Sequence, residues 1–234
     1  MEIISGEDLT RFLDEYFAAH LYAGDQAGIY RASPRPVRRI GLALEASPEL
    51  ARRVEAESLD WLFLHRPWKL EETNIAADVG VVAYHLAFDE RLTLGFNPRL
   101  ADALNMTGVA VLGTKENRPL GMIGDMRANS FAGFRGTLRG MFGGEDAAHE
   151  PPNGETIITR VCIVGAMTDA LVREAHERGA SVYVTGQLRH PAMAAVAETG
   201  VGIIGVGHRR SEEWGLRALA GVLRERFAEL EVVL

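Results

Sequence analysis

Side chains that can bind a metal ion follow several apolar segments of this sequence. His65 ends the segment LDWLFLH (59–65), and His208 directly follows VGIIGVG (201–207), with Glu212 four residues further on. If these segments are strands of parallel sheets, their carboxyl ends lie at the edge where open α/β sheets bind ligands. The sequence therefore predicts that these side chains converge on a metal ion. The alternative is that each is an isolated polar residue closing a strand.

The segment VGVVAYHLAFD (79–89) adds His85 and Asp89 to these candidates. We expect a strand over the whole segment, and the alternation of side chains along a strand would place His85 and Asp89 on one face. Two or three imidazoles and two carboxylates make a nitrogen and oxygen donor set. Such a set suits a divalent transition metal, namely zinc, iron, manganese or nickel, and does not suit calcium or an iron–sulfur cluster.

The composition excludes several classes of protein. The chain has 234 residues, of which 47% are hydrophobic, so it can bury the core of one large domain or two small ones. A formal net charge of -7 gives no general attraction to nucleic acid or to an anionic membrane, and neither partner is expected. The basic stretch 30–39 is interpreted as a solvated loop. Without a signal-peptide pattern or an apolar run of roughly 18 residues, the expected location is the cytoplasm.

Two further motifs indicate neither a catalytic residue nor a phosphate-binding site. The single cysteine, Cys162, lies inside the apolar run RVCIVG and is predicted to be a buried hydrophobe rather than a ligand or nucleophile. The segment GIIGVG (202–207) does not have the spacing of a phosphate-binding glycine loop. The candidate chemistry therefore rests on the histidines and carboxylates.

Strand and helix patterns alternate along the chain, which predicts an α/β fold with mostly parallel or mixed sheets. We expect a first α/β lobe over 1–106 and a second over 151–234, the two forming one compact unit. The glycine-rich region 107–150 between them is predicted to contain short strands, including 134–144, and 145–155 has the composition of a linker. Ser211 is expected to cap a helix over 211–226, which would place Glu212 in its first turn.

Several stretches resemble the GTP cyclohydrolase 1 type 2 family, also called the Nif-three-like dinuclear-metal family. They include GDQAGIY, LDWLFLHRP, YHLAFDE, VYVTGQLRHPAM and GVGHRRSEEWGLRAL, and together they run nearly end to end. The resemblance implies two α/β lobes facing a central cleft that binds two metal ions. It also implies a homohexameric ring and metal ligands at the positions His65, Asp89, His208 and Glu212.

The sequence departs from the family pattern at Arg66. The family has a His-His-Pro motif there, and a guanidinium has no lone pair to give a cation. We therefore expect one tightly bound ion per chain, held by His65, His208 and Glu212, with Arg66 paired to Asp89. The alternative is that Arg66 points to solvent and Asp89 keeps a weakly held second ion.

Two other positions are interpreted through the same resemblance. His85 is outside the family's ligand set and is expected to orient Asp89 by a hydrogen bond. Gln187 stands where the family tends to have Glu, which is a second departure from its pattern.

Two functions remain open at this stage. The first is a metal-dependent hydrolase of the cyclohydrolase type, acting on a nucleotide or another phosphate-bearing small molecule, with Asp89 or Glu212 accepting a proton. The second is a metal-binding ring without turnover, serving a metal-handling, regulatory or chaperone-like role. The sequence does not decide whether the protein is an enzyme.

Overall fold

A computed structural model describes residues 4–152 and 157–234. The chain divides into two compact units, one formed by Met1–Phe88 with Gly215–Leu234 and the other by Asp89–Trp214. We call them the first and second units. None of the helices in the described ranges has the length and apolar character required to cross a membrane.

The described residues contain helices and strands in alternation, as the sequence predicts. The helices are α1 (Gly6–Phe17), α2 (Pro48–Ala56), α3 (Leu86–Leu92), α4 (Pro98–Ala103), α5 (Phe131–Phe142), α6 (Asp169–Glu177), α7 (Met193–Thr199) and α8 (His208–Arg226). The strands are β1 (Ala27–Arg31), β2 (Arg39–Glu45), β3 (Trp61–Arg66), β4 (Gly80–Tyr84), β5 (Thr107–Lys115), β6 (Arg118–Ser130), β7 (Ala147–His149), β8 (Ile157–Val164), β9 (Val182–Thr185), β10 (Gly202–Gly205) and β11 (Glu231–Val233).

The first unit is built on a mixed five-stranded sheet in the order β1-β4-β3-β2-β11. Only β1 runs antiparallel to its neighbour. Side chains of β3 alternate between two packed faces: Leu62 joins the core cluster that includes α2, while the Phe63 ring contacts Phe17 of α1.

The second unit is built on a mixed six-stranded sheet in the order β5-β6-β8-β9-β10-β7. Its central strands β8, β9 and β10 are parallel. Ile163 belongs to the core cluster on the α5 side, and Cys162 belongs to the cluster on the side of α6 and α7. Helices thus cover both faces of the parallel strands, which are buried as such strands usually are. Cys162 is fully buried, as the sequence predicted.

The strand predicted over 79–89 ends early. β4 stops at Tyr84, His85 forms a bend, and Asp89 lies in α3. Every residue of β4 is buried, so the strand has no polar face that would mark its period or its end. The prediction that His85 and Asp89 share a strand face is therefore wrong.

The strand predicted over 134–144 is also wrong, because this stretch belongs largely to α5. Its buried residues Phe131, Phe134, Leu138 and Phe142 recur at helical spacing, and the Ser130 side chain caps the first turn. The helix ends at Gly143, whose φ of 73° is the left-handed conformation that glycine adopts readily. The frequent glycines of this stretch obscured the helical pattern.

Two boundaries near the candidate ligands also differ from the prediction. The last long helix, α8, begins at His208 rather than at residue 211, and the Ser211 hydroxyl donates to the His208 carbonyl inside it. Ser211 is therefore not a cap. The predicted linker contains β7, which pairs with β10, while its residues 153–155 lie outside the described ranges.

Candidate metal centre

The turn that leads into α8 places His208 at the first position of the helix. Gly207 has a φ of 96°, a conformation that favours glycine. A Cβ atom at Gly207 would lie 2.5 Å from Nη1 of Arg210, so a larger residue would displace the end of that side chain in addition to adopting a strained φ. The glycine in GVGH therefore allows the chain to turn sharply from β10 into the helix that carries two candidate ligands.

His208 and Glu212 lie one helical turn apart on α8, and their side chains meet. Nε2 of His208 is 3.0 Å from Oε1 of Glu212. The Glu212 side chain is 1% exposed, whereas that of His208 is 60% exposed. Burying a carboxylate is costly unless a cation or a hydrogen-bond donor compensates it. The helix period therefore brings a buried carboxylate under an accessible imidazole.

Asp89 completes a group of three in the second unit. One ligand atom from each of Asp89, His208 and Glu212 lies within 4.8 Å of the other two. Ligands bound to one ion at roughly 2.0–2.2 Å must have their donor atoms within about 4.4 Å of one another. This group, which we call the carboxylate triad, is close to that spacing. Its one nitrogen and two oxygen donors fit a divalent transition metal.

The loop after β9 also lies beside the carboxylate triad. A Cβ atom at Gly186 would lie 3.5 Å from Cα of His208, which is ordinary van der Waals contact. The next residue, Gln187, is exposed. The loop that contains Gln187, where the family tends to have Glu, therefore approaches a candidate ligand.

In the first unit, His65 is completely buried at the end of β3. Its Nδ1 lies 3.1 Å from the backbone carbonyl oxygen of Tyr84. A carbonyl oxygen can only accept a hydrogen bond, so Nδ1 must carry the proton, and in the neutral ring Nε2 keeps its lone pair. This is the tautomer in which a histidine binds a metal through Nε2.

Tyr84 is itself held in place, which fixes the acceptor for His65. Its hydroxyl donates to Oδ1 of Asp14 at 2.7 Å, and its ring stacks on Phe63 with centroids 6.2 Å apart. Burial, and then the hydrogen bond to Asp14, raise the pKa of the Tyr84 hydroxyl, so it remains a donor. The orientation of His65 thus depends on a packed aromatic residue of the neighbouring strand.

His85 lies beside His65, and its own orientation is set by Asp25. Oδ1 of Asp25 is 3.1 Å from Nδ1 of His85, and Oδ2 accepts the backbone N–H of Leu86 at 2.6 Å. The rings of His65 and His85 have centroids 5.0 Å apart, and a ligand atom of each lies within 4.8 Å of the other. We call these two residues the imidazole pair.

Arg66, the residue after His65 in β3, contacts Glu45 of the neighbouring strand β2. Its Nε and Nη2 lie 3.0 Å and 2.9 Å from Oε1 of that carboxylate. The two residues are direct neighbours across β2 and β3, so strand register brings the charges together. The pairing of Arg66 with Asp89 stays a prediction.

The structure groups the predicted site residues in two sets. Asp89, His208 and Glu212 come together in the second unit, and His65 and His85 come together in the first. Sequence analysis missed Asp25, the partner of His85. Its only signal was its place in GDQAGIY, since the two residues are 60 positions apart in the chain.

Comparison with known proteins agrees with these features. The model of the family described as Duf34/NIF3 (NGG1p interacting factor 3) matches residues 4–234. A Deinococcus radiodurans protein named GTP cyclohydrolase 1 type 2 homolog is 25% identical over 239 residues, covering 96% of this chain and 90% of its own. The resemblance inferred from the sequence is confirmed.

Solved structures show the same fold. A structural-genomics protein of unknown function, ybgI, matches 98% of this chain and 97% of its own with a TM-score of 0.79 at 20% identity. A Bacillus cereus protein related to NIF3 matches 100% of this chain and 97% of its own with a TM-score of 0.75 at 14% identity. With an α/β architecture of two mixed sheets and a family match over almost its whole length, the chain belongs to the Duf34/NIF3 family.

Proposed function

We propose that this protein binds a divalent transition metal ion through Asp89, His208 and Glu212. The observation that carries the proposal is the carboxylate triad itself, whose three ligand atoms lie within 4.8 Å of one another around a buried Glu212. Its donors suit zinc, iron, manganese or nickel. Buried charged groups are usually paired or coordinate metals, which supports a binding role for Glu212.

His65 is proposed as a further ligand, in agreement with the family resemblance. Its support is the tautomer fixed by the Tyr84 carbonyl, which leaves the Nε2 lone pair for a metal. His85 is proposed to support the ligands rather than bind, because it is outside the ligand set that the family resemblance implies; Asp25 holds its Nδ1 and so fixes its ring. We propose one tightly bound ion per chain, since Arg66 replaces the second histidine of the family motif.

The reaction that we propose is hydrolysis of a C–N or phosphate ester bond in a nucleotide-like small molecule. The relative from Deinococcus radiodurans bears the name GTP cyclohydrolase 1 type 2 homolog, which suggests this class. A bound divalent ion would supply Lewis acidity and make a water molecule more acidic. Asp89 is the better proton acceptor of the two candidates, because it is half-buried while Glu212 is enclosed and engaged with His208.

Arg66 favours a second candidate function, binding of metal without turnover. Its guanidinium cannot ligate, and it brings positive charge to a position where the family has an imidazole. A ring of such subunits would then serve metal handling, regulation or a chaperone-like role. The ligand residues are the same in both proposals, so only a measurement of turnover separates them.

The test of these proposals combines metal analysis with an activity assay. Purified protein is expected to contain about one zinc, iron, manganese or nickel ion per chain, and His208→Ala is expected to contain much less. Metal-loaded protein is then incubated with GTP, and formate and phosphate release are measured. Release that His208→Ala abolishes supports the hydrolase. No release from a fully loaded protein supports the non-catalytic role, and absence of metal contradicts both.

We also propose that the chain assembles as a homohexameric ring, as the family resemblance implies. The edge strand β1 of the first unit carries two exposed apolar residues, Ile29 and Tyr30, which a neighbouring subunit would cover. Light scattering at micromolar concentration is expected to give six times the 25.6 kDa mass of the chain. A stable monomer would contradict the proposal.

A further inference from the structure

Trp68 is exposed although tryptophan has the largest apolar side chain found in proteins. It is 57% exposed, whereas Trp61, seven residues earlier, is 1% exposed in the core. The turn that carries Trp68 is anchored, because the buried Leu70 donates its N–H to the Pro67 carbonyl at 2.8 Å. The indole is therefore presented to solvent by a fixed piece of backbone.

The exposed indole is in contact with the imidazole pair. The ring of Trp68 meets that of His85 edge to face, with centroids 5.1 Å apart and planes at 67°. His85 in turn stacks on His65 with centroids 5.0 Å apart and planes at 29°. Trp68, His85 and His65 thus form a row of three aromatic rings. The row leads from an exposed side chain to a completely buried candidate ligand.

Two other exposed apolar residues of the first unit have a different setting. Ile29 and Tyr30 lie on the edge strand β1, where a second subunit is a sufficient explanation. Trp68 lies in a turn after β3 and touches a histidine that a carboxylate holds in a fixed orientation. An aromatic face beside convergent polar groups is a typical element of a small-molecule site.

We propose that Trp68 is a stacking platform for the planar nitrogen heterocycle of a nucleotide-like ligand. Every nucleobase has a π face, and indole is a strong stacking partner for it. A base lying on Trp68 would place its ring nitrogens or exocyclic groups beside His85. This inference rests on the proposed function for its ligand class, and it adds the residue that would distinguish a base-bearing ligand from a simple phosphate.

Two probes that differ only in the base test this proposal. Guanosine monophosphate and ribose 5-phosphate are titrated into metal-loaded and metal-free protein by calorimetry. We expect guanosine monophosphate to bind more tightly than ribose 5-phosphate. Trp68→Ala is expected to weaken binding of guanosine monophosphate by roughly tenfold or more and to leave ribose 5-phosphate unchanged. Trp68→Phe, which keeps an aromatic face, should retain most of the affinity.

Controls separate this inference from the metal proposal and from a role in assembly. Tyr30→Ala removes another exposed aromatic ring of the first unit and is expected to change neither titration. Metal content per chain should be the same in Trp68→Ala and the parent. The proposal is overturned if the two probes bind equally in both metal states, or if neither binds. It is also overturned if Trp68→Ala changes the oligomeric mass without changing the preference for the base.

Discussion

The donor atoms of the imidazole pair and of the carboxylate triad are held in position by different kinds of contact. His65 and His85 each have Nδ1 held by an oxygen acceptor, so the ring orientation is set before any ion binds. In the triad, the ligands His208 and Glu212 contact each other directly, one helical turn apart. The first arrangement depends on contacts between distant parts of the chain, and the second depends mainly on the period of one helix.

This difference shows which substitutions should matter most. Removing a triad residue removes a donor atom, whereas removing Asp25 leaves every proposed ligand in place and only releases the orientation of His85. Loss of a ligand should therefore cost more metal affinity than loss of a supporting contact. Metal affinities of the corresponding variants test this ranking.

The largest effect is expected from Glu212→Gln. The amide keeps the shape of the side chain but loses the negative charge, so metal affinity should fall by at least about 100-fold. Thermal shift with and without added zinc measures this, because an ion that binds only the native state raises the melting temperature. The control is Glu213→Gln, the next residue of α8, which is half-exposed and pairs with Arg209. Equal metal-induced shifts in the two variants would contradict the role of Glu212.

A smaller loss is expected when the support of the imidazole pair is removed. Asp25→Asn and His85→Ala should each weaken metal binding by about 10- to 100-fold, because the metal ligands would be less well oriented. The affinity is measured by competition with a chelator of known strength. His20→Ala is the control, since His20 is an exposed histidine of the same unit. Parental affinity in both Asp25→Asn and His85→Ala would show that the pair has no part in metal binding.

Alkaline pH should distinguish the two units by their buried acids. Burial raises the pKa of Tyr84 in the first unit and of Cys162 and Tyr183 in the second. The unfolded chain loses these protons near ordinary values of 9.0 for Cys and 10.0 for Tyr, while the native state keeps them. The native state then binds more protons, so stability falls as pH rises above about 9.

Each such group should contribute up to about 1.4 kcal/mol of lost stability per pH unit. Among the described residues, the second unit has two of the three groups, so hydrogen exchange should accelerate there first between pH 9 and 11. Cys162→Ala should reduce the slope of stability against pH, and Tyr30→Phe, at an exposed position, should not. A flat stability profile across this range would contradict the prediction.

The smallest expected change is a doubling of bound metal in Arg66→His. The new imidazole would restore the second histidine of the family motif, and the metal content should rise from about one ion per chain toward two. Arg38→His serves as a control because it introduces a histidine at an exposed position of the same unit. Two tightly bound ions in the parent protein would rule out the proposal that the chain holds one ion because Arg66 replaces the second histidine.

Local periodicity in the sequence was sufficient to predict much of the fold, whereas the grouping of Asp89, His208 and Glu212 came from the family resemblance. Apolar runs predicted β3, β8, β9 and β10, because buried parallel strands need apolar side chains on both faces. The contact between His208 and Glu212 was not predicted in this form, because the helix was expected to begin at residue 211; both lie on α8, where residues four apart share a face. The donor types, and hence the class of metal that we propose, also follow from the sequence alone.

Long-range contacts decided the rest. The sequence could not show where β4 ends. A strand buried on both faces has no alternation of polar and apolar residues, so no change of pattern marks its last residue. It could not pair His85 with Asp25, or Arg66 with Glu45, because these contacts join residues 60 and 21 positions apart. The return of β11 to pair with β2 is likewise set by packing of the whole sheet. Periodicity shows which side chains of a segment are buried. Only the tertiary structure determines which other segment packs over them.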